Sequence, residues 1–156
     1  MVTAVKAQDD VRRYVRRLND LYQDVRAWAL EFEPDVTFEE SRVRLNEEIP
    51  GKYSAPALKV KRPGKMDITF VPRGAYMIGG RGRVDASSPL GTGNLVWVEQ
   101  GGPALAFRDS GEGKFEEVSG KALHPGIAEG WAWTDIARRR LVHLDREVFL
   151  KRIFNR

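Results

Sequence analysis

The chain contains no cysteine and only two histidines among its 156 residues. The lack of cysteine excludes disulfide bonds, cysteine catalysis and thiolate metal sites. His124 and His143 have no second candidate ligand at a metal-binding spacing, and this argues against a zinc site or a histidine-dependent triad. We therefore predict neither a cofactor nor a metal site.

Long apolar runs and phosphate-binding motifs are also missing. No segment approaches the roughly 18 apolar residues of a membrane-spanning helix. The N-terminal segment lacks the apolar region of a secretory signal. The P-loop pattern, GxxxxGK followed by Ser or Thr, does not occur, and no GxGxxG follows Gly80 or Gly82. We expect a soluble protein without a membrane partner, and cytoplasmic localisation is the default.

The overall composition is that of an ordinary globular protein. Hydrophobic residues make up 42% of the chain and charged residues 31%. A chain of this length usually forms one domain that buries roughly two thirds of its unfolded surface. We predict a single domain over 1–156.

Apolar residues recur at a three-four spacing from Val11 to Phe32, without an internal glycine or proline. This spacing predicts an amphipathic helix over 7–32 that ends before Pro34. Its arginines alternate with aspartates, which favours a solvated face with ion pairs over a nucleic-acid contact. The wide apolar stripe can cover a sheet or pair with a second copy, so a homo-oligomer through this helix is an open alternative.

Between 36 and 144 the pattern changes to short apolar segments that are separated by glycine and proline. It predicts a mainly β region. Within 36–49 the parity of the apolar residues changes near Glu40, which predicts a bulged strand or two short strands. Residues 87–94 have the composition of a loop. We expect a strongly bent antiparallel sheet of about six to eight strands, as a half-barrel or a sandwich.

The segment 66–86 combines alternating apolar residues with two turn signals. Pro72 cannot donate to a β-ladder and Gly74 tolerates the angles of a bulge, so we predict a strand, a corner and a second strand. The sequence 79–83, GGRGR, suits either an anion site of backbone N–H groups and guanidinium groups or a hairpin turn with solvated arginines. The frequency of glycine pairs in turns favours the hairpin.

The C-terminal part carries two further signals. Trp131 and Trp133 share a parity and are expected on one side of a strand, where core packing is favoured over the stacking of a ligand or base. Asp145 is a good N-cap for a short helix over 145–154. The predicted fold is α+β: a long N-terminal amphipathic helix on a strongly bent antiparallel β-sheet, with a short C-terminal helix.

Positive charge is concentrated in two blocks of the chain. Residues 51–86 carry 8 basic and 2 acidic side chains, and residues 131–156 carry 7 and 3. If the blocks meet in space, they form a patch that attracts nucleic acid or an acidic protein surface; otherwise they are ordinary solvated faces. The candidate binding residues are Lys59, Lys61, Arg62, Arg73, Arg81, Arg83, Arg138, Arg139 and Arg140.

Asp85 and Glu99 are the weak candidates for catalytic residues. They lie on consecutive predicted strands, an order that resembles the PD-(D/E)xK nucleases between Gly82 and Gln100. The resemblance implies that the two carboxylates hold a divalent cation near a scissile phosphate. In the motif a lysine follows the second acid by two residues, whereas Gln100 and Gly101 follow Glu99. The group that would help to activate water is therefore missing.

Three functions remain open at this point. The leading hypothesis is a non-enzymatic binding module whose basic surface contacts nucleic acid or another polyanion. The alternative is a protein-interaction subunit that assembles through the N-terminal helix. The lowest-ranked is a metal-dependent nuclease at Asp85 and Glu99. We lean against an enzyme, because the sequence shows no cluster of nucleophile, base and oxyanion donor.

Overall fold

A computed structural model of the chain describes residues 4–48, 50–76, 82–99, 105–109, 115–119, 129–135 and 139–154. The helices are α1 (Ala4–Phe32) and α2 (Arg146–Phe149), and α2 continues as a π-helical segment, Leu150–Phe154. The strands are β1 (Thr37–Glu47), β2 (Gly51–Lys61), β3 (Ile68–Gly74), β4 (Arg83–Ser88), β5 (Gly91–Val98), β6 (Leu105–Asp109), β7 (Phe115–Ser119), β8 (Gly130–Asp135) and β9 (Arg140–His143).

Seven of the strands form one antiparallel sheet in the order β1-β2-β3-β4-β5-β8-β9, and β6 pairs with β7 in a separate hairpin. The large sheet is not closed, so β1 and β9 are its edges. The long first helix, the antiparallel sheet and the short last helix confirm the predicted α+β fold.

One face of α1 supplies a large part of the core. Leu18, Tyr22 and Val25 on this face are fully buried, together with residues of β2, β3 and β4. The apolar stripe therefore packs within the chain, and its buried residues are not available as a seam between two copies. No helix in the described ranges is both long and apolar enough to cross a membrane.

Three hydrogen bonds fix the position of α1 on the sheet. The Tyr14 hydroxyl donates to the Arg83 carbonyl at 2.6 Å, and the Tyr22 hydroxyl donates to the Pro56 carbonyl at 2.8 Å. From the sheet side, Trp131 Nε1 donates to the Arg17 carbonyl at 3.1 Å. Burial raises the pKa of both tyrosines, so they stay protonated and can donate.

The prediction of a bulged strand or two short strands within 36–49 is wrong. β1 and β2 pair without a register shift from Thr37 opposite Lys61 to Glu47 opposite Gly51. The change of parity is nevertheless real, because Phe38 and Leu45 both pack against the core. Two-stranded ribbons twist strongly, and this twist can turn opposite parities toward one core without an inserted residue.

The predicted loop over 87–94 is also wrong. β4 and β5 pair throughout this region and are joined by a tight turn at Pro89 and Leu90. Glycine is usually unfavourable inside a strand, but a close approach can require it. A Cβ atom on Gly93 would lie 2.1 Å from the Trp133 ring, so the indole occupies the space that a side chain would need.

The C-terminal segment completes the core. Asp145 caps α2, since its Oδ1 atom accepts a hydrogen bond from the Val148 backbone N–H at 2.8 Å, and this confirms the predicted N-cap. The buried side chains of the segment are those of Phe149, Leu150, Ile153 and Phe154. Arg146 forms an ion pair with Glu31 at 2.9 Å, which links the segment to the end of α1.

Candidate functional site

The carboxylate of Asp85 forms ion pairs with two arginines. Its Oδ2 atom accepts from Arg73 Nε at 2.8 Å, and its Oδ1 atom accepts from Arg83 Nε at 2.9 Å. Both carboxylate oxygens of Asp85 therefore accept hydrogen bonds, and the two arginines compensate the negative charge that would have attracted a cation.

Asp85 and Glu99 do not come together. Asp85 lies opposite Asn94 in the β4–β5 ladder. Glu99 comes five residues after Asn94, and five residues of extended strand span about 16 Å. Val84 and Ala86 point into the core, so Asp85 is on the outer face, whereas Glu99 lines a cavity beside α1. The arrangement that the nuclease resemblance implies is not formed. In the described ranges no group of three or more acidic, histidine or cysteine side chains could hold a metal ion.

Four of the candidate basic residues share the outer face of the sheet. Their neighbours along β2, β3 and β4 point into the core. Acids accompany them, since Lys61 forms an ion pair with Glu39 at 2.8 Å and two of the arginines contact Asp85. The four residues are Lys59, Lys61, Arg73 and Arg83.

Arg139 and Arg140 do not join this group. Arg139 precedes the edge strand β9 and Arg140 begins it, and β9 is three strands away from β4. Arg81 and Arg138 lie outside the described residues.

Arg62 was predicted to lie on the binding surface, and this is wrong. It is only 4% exposed and donates hydrogen bonds to the carbonyls of Phe154 at 2.7 Å and Met66 at 3.1 Å. Its guanidinium group also lies 4.9 Å from the centre of the Phe154 ring. A buried guanidinium group needs such acceptors because its desolvation is unfavourable. The role of Arg62 is therefore structural.

The corner after β3 is stabilised by a single carboxylate. Glu47 accepts hydrogen bonds from the backbone N–H groups of Ala75 and Tyr76, both at 3.1 Å, and from the Tyr53 hydroxyl. A Cβ atom on Gly74 would lie 2.7 Å from Glu47 Oε1, so glycine allows this close approach. The register of β3 against β4 also shifts between Pro72 and Gly74, so the irregularity that Gly74 was expected to allow lies within the strand. Residues 77–81, where the second predicted strand would continue, lie outside the described residues.

The sequence did not predict a cleft that is lined by several tryptophans. This cleft measures about 240 Å³ and lies between α1, β5 and β8. Its apolar lining comes from Leu21, Leu144 and three tryptophans, Trp28, Trp97 and Trp131, and its polar lining from Arg17, Asp20, Asp24 and His143. We call this the tryptophan cleft.

Arg17 forms one end of the tryptophan cleft. Its guanidinium carbon lies 4.1 Å from the centre of the Trp97 ring, and this ring meets Trp131 edge to face at 5.7 Å. Trp97 Nε1 is buried and has no hydrogen-bond partner in the part of the chain that the structure describes. Arg17 therefore covers one indole of the cleft, and Trp28 and Trp131 line the remainder.

Two charged groups of the tryptophan cleft, Asp24 and Arg17, have shifted pKa values. Desolvation raises the pKa of Asp24, and the nearby charge of Asp20 raises it further. Desolvation lowers the pKa of Arg17, and the neighbouring Arg13 adds to this effect. Such shifts of partly shielded groups in a concave site are typical of binding sites, although structural ion-pair networks produce them too.

A second cavity, of about 260 Å³, lies on the other side of Arg17. Its charged groups compensate one another. Asp10 accepts a hydrogen bond from the Tyr76 hydroxyl at 2.7 Å and forms an ion pair with Arg13 at 3.2 Å. This cavity has no counterpart to the cluster of indoles, so the tryptophan cleft is the better candidate for a ligand site.

Comparison with models of protein families gave no match, and comparisons with curated proteins and with solved structures gave no significant match.

Proposed function

We propose that the protein is a binding module that takes a basic side chain of a protein partner, lysine or arginine, into the tryptophan cleft. The observation that carries the proposal is the position of Asp20 and Asp24, four residues apart on α1, which both line the cleft beside Trp28. Carboxylates and indole faces both attract cations. A bound cation would also offset the desolvation that raises the pKa of Asp24.

The size of the cleft supports a single side chain as its occupant. Sites for whole drug-sized ligands usually measure about 300 to 1,000 Å³, whereas this one measures about 240 Å³. Because Arg17 already lies over Trp97, the entering group would contact the other two indoles and the aspartates. The remainder of the partner would stay outside the cleft.

Short capped peptides that differ at one position test the proposal. We expect arginine and lysine peptides to change the tryptophan fluorescence with saturation, and the glutamine peptide to bind at least about tenfold more weakly, since a charge-assisted contact is lost. Asp24→Asn should weaken binding, whereas Asp9→Asn is the matched control, because Asp9 is on the same helix, outside the cleft, and contacts Arg12. Equal binding of the glutamine peptide would contradict the proposal.

The Asp24→Asn substitution should also increase the stability of the fold. The pKa of Asp24 is higher in the folded state than in the unfolded state. Ionised Asp24 therefore destabilises the folded state at a pH above its folded-state pKa, and this destabilisation is lost as the pH falls and the carboxylate becomes protonated. Asp24→Asn should therefore raise the melting temperature at pH 7, and the difference should shrink in acid. If Asn lowered both stability and affinity, Asp24 would be a structural residue.

Polyanion binding is a second candidate, because Lys59, Lys61, Arg73 and Arg83 share the outer face of the sheet. Binding of duplex DNA should fall with salt at a slope near −0.9 in log–log form for each phosphate contacted. Arg73→Ala together with Arg83→Ala should flatten this slope, and Arg140→Ala on β9 is the control. No binding at low salt would rule the candidate out.

A further inference from the structure

β1 is a long and exposed edge strand. It spans 11 residues, Thr37–Glu47, and most of its side chains are exposed. One side of its backbone pairs with β2, and in the described ranges no strand pairs with the other side. Strands average about 5 to 6 residues, and edges are commonly interrupted by proline or by bulges. β1 has neither feature, so a continuous row of backbone N–H and C=O groups is available for pairing.

The charges of β1 are complementary to those of a second, antiparallel copy of the strand. When Ser41 lies opposite its own equivalent, Glu40 of each copy lies opposite Arg42 of the other. The two-fold symmetry of such a pair produces this contact twice. Opposite charges that face each other across antiparallel strands stabilise the pairing. All three side chains are exposed.

The neighbouring registers each bring like charges together. If one copy slides by two residues in one direction, Arg42 faces Arg42, although Glu40 of each copy then faces Arg44 of the other. In the other direction Glu40 faces Glu40. A shift by one residue would place side chains on the wrong faces of the sheet. Like charges directly opposite each other destabilise the pairing. Of these three registers, only the one centred on Ser41 combines two opposite-charge contacts with no like-charge contact directly opposite.

We infer that two copies of this chain associate through β1, around a two-fold axis at Ser41, to form one sheet that continues across both subunits. The partner is a second copy because the strand complements itself. The apolar stripe of α1 is buried within each subunit, so this interface does not compete with the core. Glu40 lies only 3.7 Å from Arg26 but keeps a side-chain exposure of 47%, so it can still be reached by a second copy.

Analytical ultracentrifugation over a range of concentrations tests the inference. We expect the wild type to dimerise, and Glu40→Arg and Arg42→Glu each to weaken the dimer by at least about tenfold, because two opposite-charge contacts become like-charge contacts. Arg152→Glu is a matched charge change at an exposed position in the C-terminal segment, and it should have no effect.

An equimolar mixture of the two single variants provides the decisive comparison. One variant then offers two basic residues and the other two acidic residues, so both contacts become favourable again. The mixture should form a dimer at concentrations at which each variant alone is mainly monomeric, and this recovery also shows that both variants are folded. A monomeric wild type, single variants that dimerise normally or a mixture that stays monomeric would each overturn the inference.

Discussion

Replacing Arg62 with alanine is expected to lower the free energy of unfolding by about 3 kcal/mol or more. The guanidinium group donates to the carbonyls of Phe154 and Met66 and packs on the Phe154 ring. The substitution removes these hydrogen bonds, leaves two acceptors without their donors and opens a space beside the ring. Hydrogen bonds that involve a charged group are worth about 1.5 to 3 kcal/mol each.

Urea denaturation of the variant measures this effect. Lys59→Ala is the control, since Lys59 is only partly buried and lies on the outer face of β2, and surface substitutions usually change stability by less than about 0.5 kcal/mol. Arg62→Lys should lie between the wild type and the alanine variant, because a single ammonium group cannot reproduce the planar fork of donors. Equal stabilities of the alanine variants at 59 and 62 would show that Arg62 is not a structural residue.

The second large effect is expected at Gly93, where alanine should destabilise the fold by about 1 to 3 kcal/mol. Its Cβ atom would lie 2.1 Å from the ring of Trp133, so either the indole or the strand must move. A smaller ring at position 133 would leave room for the Cβ atom. Gly93→Ala should therefore lower the free energy of unfolding by less in a Trp133→Phe background than in the wild type. The measurement is a double-mutant cycle of thermal or urea unfolding.

Thr92→Ala is the control for this cycle, because Thr92 precedes Gly93 and is exposed. Its effect should be small and independent of the residue at position 133. If the costs of Gly93→Ala and Trp133→Phe were simply additive, the close approach of the indole to Gly93 would not be the reason for the glycine.

The parts of the fold that were predicted correctly depend on local patterns. The three-four spacing from Val11 to Phe32 specifies an amphipathic helix in any context, and Asp145 caps α2 through a residue only three positions away. The loop predicted over 87–94 failed for the opposite reason. The glycine at position 93 accommodates Trp133 from a distant strand, and a single sequence does not indicate that contact.

The candidate site was missed because it is assembled from distant segments. Trp97 and Trp131 become neighbours only through the pairing of β5 with β8, and Asp24 joins them only when α1 docks. The arginines of α1 were expected on a solvated face with ion pairs, but Arg17 lies over Trp97. The burial of Arg62 likewise depends on Phe154, at the other end of the chain. Charge and spacing identify such residues as polar but not as buried.

The contribution of the C-terminal segment to the core also affects how the chain folds during synthesis. The ion pair between Glu31 and Arg146 joins residues that are 115 positions apart. At a translation rate of about 5 to 20 residues per second, roughly 6 to 23 s pass between the synthesis of these two residues. During this time the first helix exists without Phe149 and Phe154. The strands β2, β3 and β4 can already cover most of its apolar face, but the part around Trp28, which contacts the Phe149 ring at 5.5 Å, remains uncovered on the ribosome. Early protection of the emerging chain is therefore needed at the end of the helix that carries Trp28.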